Sequence, residues 1–169
     1  VSGTVAQGQS LSASVSDLDG ISGVSIGYQW KRGGSAISGA TGSSYTLVQA
    51  DVGSVITVTA SYTDQLSTGE SVTSSATSSV ANVNDTGSVT VSGTATQGQA
   101  LSASVSDLDG TSGVSIGYQW KRGGSAISGA TGSSYTLVQA DVGSAITVTA
   151  AYTDQLSTGE SVTSSATSS

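Results

Sequence analysis

The chain of 169 residues contains no cysteine, proline, methionine, histidine or phenylalanine. Without cysteine there are no disulfides, no thiolate metal sites and no c-type haem attachment. Without histidine or cysteine the commonest general base and the strongest nucleophile are both missing. Basic residues are scarce too: 4 Lys and Arg stand against 11 Asp and Glu, for a formal net charge of −7. Nucleic acid needs a basic face to displace counterions, and the dipeptides Lys31-Arg32 and Lys121-Arg122 do not make one. No apolar run has the length of a membrane span, and no basic amphipathic helix for surface binding is present. A chain without Met and beginning at Val1 is expected to be a piece of a longer protein, with any secretion or anchoring signal outside it.

What is present is a duplication. Val1 aligns with Val91, and the match runs without a gap to Ser79 against Ser169, a period of 90 residues. The copies differ at Val5/Ala95, Ala6/Thr96, Ser10/Ala100, Ile21/Thr111, Val55/Ala145 and Ser61/Ala151. A unit of this size buries one small core. Two domains are expected, 1–84 and 85–169, joined by a linker of about residues 82–87, within Ala81-Asn82-Val83-Asn84-Asp85-Thr86-Gly87, a stretch occurring once.

Richness in Gly, Ser and Thr can signal a disordered stalk, but the apolar residues here are periodic. Ile26, Tyr28 and Trp30 alternate with small or polar residues, as do Ile56, Val58, Ala60 and Tyr62, and Leu11, Ala13 and Val15. Period-two alternation is the mark of half-buried strands. Glycine-bearing turns at Gly8, Gly20, Gly33-Gly34, Gly42, Gly53 and Gly69 cut each unit into several short strands. The expected class is all-β, two tandem immunoglobulin-like β-sandwich domains. Trp30 and Trp120 are expected in the cores rather than on a sugar-stacking face.

The stretch "YQWKRGGSAISGATGSSYTLVQADVGSVITVTASYTD" resembles the middle of an immunoglobulin-like domain, with a core-Trp strand, a basic-Gly turn, a Tyr-x-Leu strand and Asp-x-Gly before the penultimate strand. The cysteine pair of antibody domains is missing. "SGTATQGQALSASVSDLDG", "ISGATGSSYTL", "QADVGS" and "YTD" followed by "ESVTS" look like the tandem repeats of giant bacterial RTX adhesins exported by type I secretion. The resemblance covers essentially the whole chain. It implies extracellular extender modules at the bacterial surface, contacting neighbouring repeats of the same chain and holding an adhesive tip away from the cell. It also implies calcium at domain junctions, as in cadherins. The Gly-Gly-x-Gly-x-Asp nonapeptides of the secretion-signal region are absent, so the resemblance places this part in the stalk.

The carboxylates supply the chemistry. "SDLDG" sets Asp17 and Asp19 two residues apart with Gly20 behind them, and its twin carries Asp107 and Asp109. Calcium gathers six to eight oxygens, and closely spaced Asp residues provide them; an Asp-Gly turn bonded to its own backbone is the alternative. EF-hand spacing is not met. In an immunoglobulin-like sandwich the loop after the second strand and the loop before the last strand share the end where the chain enters. That would bring Asp107, Asp109, Asp154 and Glu160 toward Asn84 and Asp85, and Asp17, Asp19, Asp64 and Glu70 together in the first unit. Such groups repel unless a cation lies among them. Asp51 in "QADVGS" reads first as a turn residue and only secondarily as a further ligand facing the next linker. "KRGG" reads as a solvated hairpin turn rather than an anion site. With paired carboxylates on loops, repeated in both copies, the inventory points away from an enzyme. The expected role is a monomeric, calcium-stiffened spacer. A glycan- or surface-binding module using Thr57, Thr59, Thr147 and Thr149, and a calcium-independent spacer, are the alternatives.

Overall fold

The computed structural model describes residues 1–168, and the chain divides into two compact units, Val1–Val83 and Asn84–Ser169. In the second unit β7 (Ser88–Ser92), β8 (Ala100–Ser106) and β11 (Ser134–Thr136) form one sheet in the order β11-β8-β7. The other sheet has the order β10-β9-β12-β13, from β9 (Gly117–Arg122), β10 (Ser125–Ala126), β12 (Ile146–Thr153) and β13 (Gly159–Thr163). All pairings are antiparallel. Strands one, two and five against three, four, six and seven is the division of an immunoglobulin-like sandwich.

In the first unit the larger sheet recurs as β3-β2-β5-β6, from β2 (Gly27–Arg32), β3 (Ser35–Ala36), β5 (Ile56–Thr63) and β6 (Gly69–Thr73). Facing it, β1 (Ser10–Ser12) pairs with β4 (Ser44–Thr46). β8, paired along its outer edge with β7, is 7 residues long, whereas β1, whose outer contact is the Ser2–Ser12 bridge, has 3.

The alternation read from the sequence is the alternation of burial. Ile56, Val58, Ala60 and Tyr62 point inward, while Thr57 and Thr59 are half-buried and Ser61 is exposed. Trp30 is opposite Val58 in the β2–β5 register and fully buried, and Leu11 and Leu47 pack in the same core. Its indole N–H donates to the Gly42 carbonyl at 2.9 Å, and its ring lies 5.9 Å from that of Tyr45. Burying a side chain of this kind is worth roughly 1.5–3 kcal/mol or more, provided the polar tip keeps a partner. Trp120 repeats the arrangement with Gly132 and Tyr135. The β2–β3 hairpin closes on Gly33 and Gly34 at φ of 52° and 87°, two successive left-handed residues of the kind a two-residue hairpin loop demands.

Asp51 departs from the sequence reading. It closes a 3-10 turn (Gln49–Asp51) by accepting the Val48 N–H at 2.8 Å, but it is completely buried and also holds Arg32 Nε at 2.6 Å and the Tyr45 hydroxyl at 2.9 Å. Its oxygens are committed to the core of its own unit, and the hairpin basic residue, read as solvated, is half of an ion pair. Asp141 repeats this with Arg122 and Tyr135. Burial pushes the Asp141 carboxyl up, but the Val138 N–H, Arg122 and Tyr135 together hold it below the usual carboxylate range.

Candidate metal centre

Three carboxylates meet at one end of each sandwich. In the first unit Asp17 comes from the loop after β1, Asp64 follows the end of β5 and Glu70 lies on β6, opposite Tyr62. One oxygen from each falls within 4.8 Å of the others. The two loops are laced together by Gln65, whose backbone N–H donates to the Gly20 carbonyl at 3.1 Å and whose side-chain amide donates to the Ser22 carbonyl at 2.9 Å.

Asp17 and Asp64 are oriented by neutral donors rather than by a cationic side chain. Asp17 Oδ1 accepts the Asp19 N–H at 2.9 Å and Oδ2 accepts the Tyr62 hydroxyl at 2.8 Å. These bonds hold the Asp17 carboxyl below its ordinary range, the backbone bond first. They push the Tyr62 phenol up to about 12, through the bond to Asp17 first and burial second. Asp64 Oδ1 accepts the Thr68 N–H at 2.7 Å, while Asp64 Oδ2 is buried with no hydrogen-bond partner. Leaving a buried carboxylate oxygen unpaired costs free energy unless a further group approaches it.

The second unit builds the same centre from Asp107, Asp154 and Glu160, again with one oxygen of each within 4.8 Å. Asp107 accepts the Asp109 N–H and the Tyr152 hydroxyl, both at 2.8 Å. Burial first, then the bond to Asp107, raises the Tyr152 phenol. Asp154 is 5% exposed; its Oδ1 accepts the N–H groups of Leu156 and Thr158 at 2.8 and 2.9 Å, and its Oδ2 is buried without a partner.

The segment Asn84–Gly87 lies against this second centre. Asn84 Nδ2 donates to Glu160 Oε1 at 2.7 Å, and the Asp85 N–H donates to Asp109 Oδ2 at 3.0 Å. Gly87 sits so close to the Tyr152 hydroxyl that a Cβ there would collide with it, and such a Cβ would also lie 2.8 Å from Asp107 Oδ2. Asp109 is accordingly buried at 3% exposure, whereas Asp19, its twin, is exposed. The six residues named for this end from the sequence are thus gathered in one place. Asp107, Asp154 and Glu160 form the close cluster, Asn84 presents its amide nitrogen to it, and Asp85 and Asp109 are bonded to each other beside it. In the first unit Asp17, Asp64 and Glu70 cluster, and the Asp19 N–H orients Asp17.

The tyrosines, Gln65 and Gly87 escape a sequence reading. Tyr62 continues the inward series of β5 and reads as core; only its position at the strand end lets its hydroxyl reach Asp17.

The donor set is all oxygen, multiply acidic, and contains one buried unpaired carboxylate oxygen per unit. Those features fit a hard divalent cation of the calcium type, which takes carboxylate and carbonyl oxygens in flexible geometry. Asp17, Asp64 and Glu70, and in the second unit Asp107, Asp154 and Glu160, are the residues that would hold it.

No protein-family model and no curated protein sequence matches the chain. Among solved structures, one similar chain comprises three N-terminal domains of the bacteriophage RB49 Highly Immunogenic Outer Capsid protein (Hoc). It is 17% identical, with a TM-score of 0.33, over 95% of this chain and 56% of that one, so this chain spans about half its length. The sandwich assignment here rests on the strand order of each unit. Among the described residues no helix is long and apolar enough to cross a membrane.

Proposed function

We propose that the chain is a structural spacer, a tandem of extender units from a bacterial cell-surface adhesin, in which each unit takes a calcium ion at its carboxylate centre. One observation carries the reading: both copies build the same three-carboxylate cluster around a buried, unpartnered oxygen, and the unrepeated segment Asn84–Gly87 is laid on the second cluster. A centre reproduced in every copy suits a module whose copy number sets reach; a single ligand site would need only one.

A bound cation supplies the charge that offsets three converging carboxylates. The chain's own residues do the positioning. Tyr62 and Tyr152 hold Asp17 and Asp107 in place, and the turn N–H groups fix Asp64 and Asp154 with one oxygen directed away from the turn. Asn84 and Asp85 reach residues of the second centre, so an ion there would also secure the residues that follow Val83. The proposed setting is extracellular, with the neighbouring repeats of the same chain as partners and the chain itself a monomer.

The test is small-angle X-ray scattering with parallel thermal unfolding, in a few millimolar calcium and in excess EDTA. The expected result is a higher melting temperature and a larger maximum dimension with calcium. Coincident melting curves would remove the metal. Calcium-dependent melting with an unchanged dimension would leave a metal centre that does not govern extension.

A further inference from the structure

In the first unit the segment by which the chain leaves is fastened to the segment by which it enters. Val5–Gln7 lies beside Val80–Val83, and Ala6 bridges Ala81 in parallel. The Ala81 N–H donates to the Val5 carbonyl and the Gln7 N–H to the Ala81 carbonyl, both at 3.0 Å. Farther along, the Val83 N–H donates to Gln7 Oε1 at 3.3 Å. The other flank of the segment is held through Val80, whose carbonyl accepts the Gly53 N–H and whose N–H donates to the Ser54 carbonyl, both at 2.9 Å. The Val80 side chain is 2% exposed and packs in the core with Leu11, Trp30 and Ile56.

Strand direction decides how this joint takes load. The chain enters the unit ahead of Val5 and leaves it after Val83. Tension along the chain therefore draws Val5–Gln7 backward and Val80–Val83 forward, parallel to their own length and in opposite senses. The bonds between them run across that direction, so they carry the load together and must part together. An antiparallel pair at the same place would be peeled open one bond at a time. Sliding would also withdraw the Val80 side chain from apolar surroundings into water, which opposes it further.

We infer that Val5–Gln7 and Val80–Val83 form a shear clamp that sets the resistance of the first unit to a pull along the chain. Its use rests on the spacer reading, in which load enters and leaves a unit through its ends; its existence does not, since none of its bonds involves a carboxylate of the metal centre. Gln7 is the residue that isolates it. The Gln9 N–H donates to the Ala6 carbonyl at 3.1 Å with Gly8 at a φ of 76°, which makes a type II turn with Gln7 at its second position. Proline suits that position. Gln7→Pro therefore keeps the turn while deleting both the N–H that the Ala81 carbonyl accepts and the amide oxygen that the Val83 N–H meets.

The test is force-clamp spectroscopy of the full chain in excess EDTA, tethered through introduced cysteines, which are unique because the chain has none of its own. Ser2→Cys with Thr86→Cys, both at exposed positions, loads the clamp along the chain. Ser35→Cys with Ser71→Cys, at exposed positions on β3 and β6, loads the same unit across its larger sheet and leaves the clamp outside the loaded path. At equal force the end-loaded unit is expected to last longer, and to yield in one step of about 250 Å, the extended length of the chain between Ala6 and Ala81. Gln7→Pro should shorten the end-loaded lifetime about fivefold or more, as loss of an ordinary hydrogen bond from the unfolding barrier does, and leave the cross-sheet lifetime unchanged. Equal shortening in both directions would make Gln7 a general stabiliser and overturn the clamp, and so would an unchanged end-loaded lifetime. Should the proline variant not fold, the two directions in the parent chain decide: an end-loaded lifetime no longer than the cross-sheet one overturns the inference. With calcium chelated throughout, each of these outcomes is independent of the metal centre.

Discussion

Asp154→Asn separates a cation site from an acidic cluster that merely shapes a turn, because only a cation site loses a calcium-dependent rise in melting temperature on this substitution. The amide oxygen of Asn still accepts the Leu156 and Thr158 N–H groups that Asp154 Oδ1 holds at 2.8 and 2.9 Å, so the turn survives. What changes is the other atom: a buried oxygen without a partner becomes an NH₂ donor beside Asp107 and Glu160. In the absence of metal, two carboxylates within 4.8 Å repel the Asp154 charge. The bare interaction is about 3–4 kcal/mol per neighbour at an effective dielectric constant of about 20. Solvent reaching the half-exposed Asp107 and salt in the buffer reduce the total to about 1–3 kcal/mol. For a unit of this size that is a rise of roughly 5–15 °C in the melting temperature of the second unit in EDTA. The same substitution removes a cation ligand, so the additional rise on adding calcium should vanish for that unit. Differential scanning calorimetry of the full chain in EDTA and in millimolar calcium reads both effects, and Asp64→Asn should move the first unit in the same way. A lowered or unchanged melting temperature in EDTA refutes the repulsion argument, and a calcium increment that survives refutes the cation site.

Two further outcomes follow from groups outside that pair. Asp51→Asn breaks a buried ion pair and weakens two other bonds to the carboxylate, at a cost of about 2–4 kcal/mol, toward the low side because Arg32 is 32% exposed and can be resolvated. Against a stability of roughly 4–12 kcal/mol for a unit of this length, calorimetry should show one transition displaced far downward and the other in place; coincident transitions would contradict the core role of Asp51. The Tyr62 phenol, pushed up to about 12, favours the neutral form in the folded state. The stability it lends is complete below the ordinary tyrosine value of about 10 and is lost as pH rises through 12. A phenolate absorbance titration should therefore contain a late step near pH 12, which Asp17→Asn shifts toward 10; a titration unmoved by that substitution would dissociate Tyr62 from Asp17.

The strands were legible because burial in a sandwich has the same period of two as the side chains along a strand, and Ile56, Val58, Ala60 and Tyr62 display it directly. The convergence of Asp17, Asp64 and Glu70 was legible one step further on, since strand order in this fold places the second and last interstrand loops at one end. Partners set by register rather than by spacing were not legible. Arg32 reaches Asp51 because the β2–β5 register sets Arg32 opposite Ile56, shortly after the 3-10 turn, and Tyr62 reaches Asp17 across 45 residues. The linker shows most sharply what composition leaves out. Asn82, Asn84 and Asp85 suggested a polar joint, yet the N–H of Val83 donates to Gln7 Oε1 in the first unit while the side chain of the next residue, Asn84, donates to Glu160 in the second. Each of these partners lies 76 residues away, in opposite directions along the chain. Asp109 stands in the same Ser-Asp-Leu-Asp-Gly stretch as Asp19, and nothing in that stretch tells that its carboxylate accepts the N–H of Asp85, 24 residues earlier.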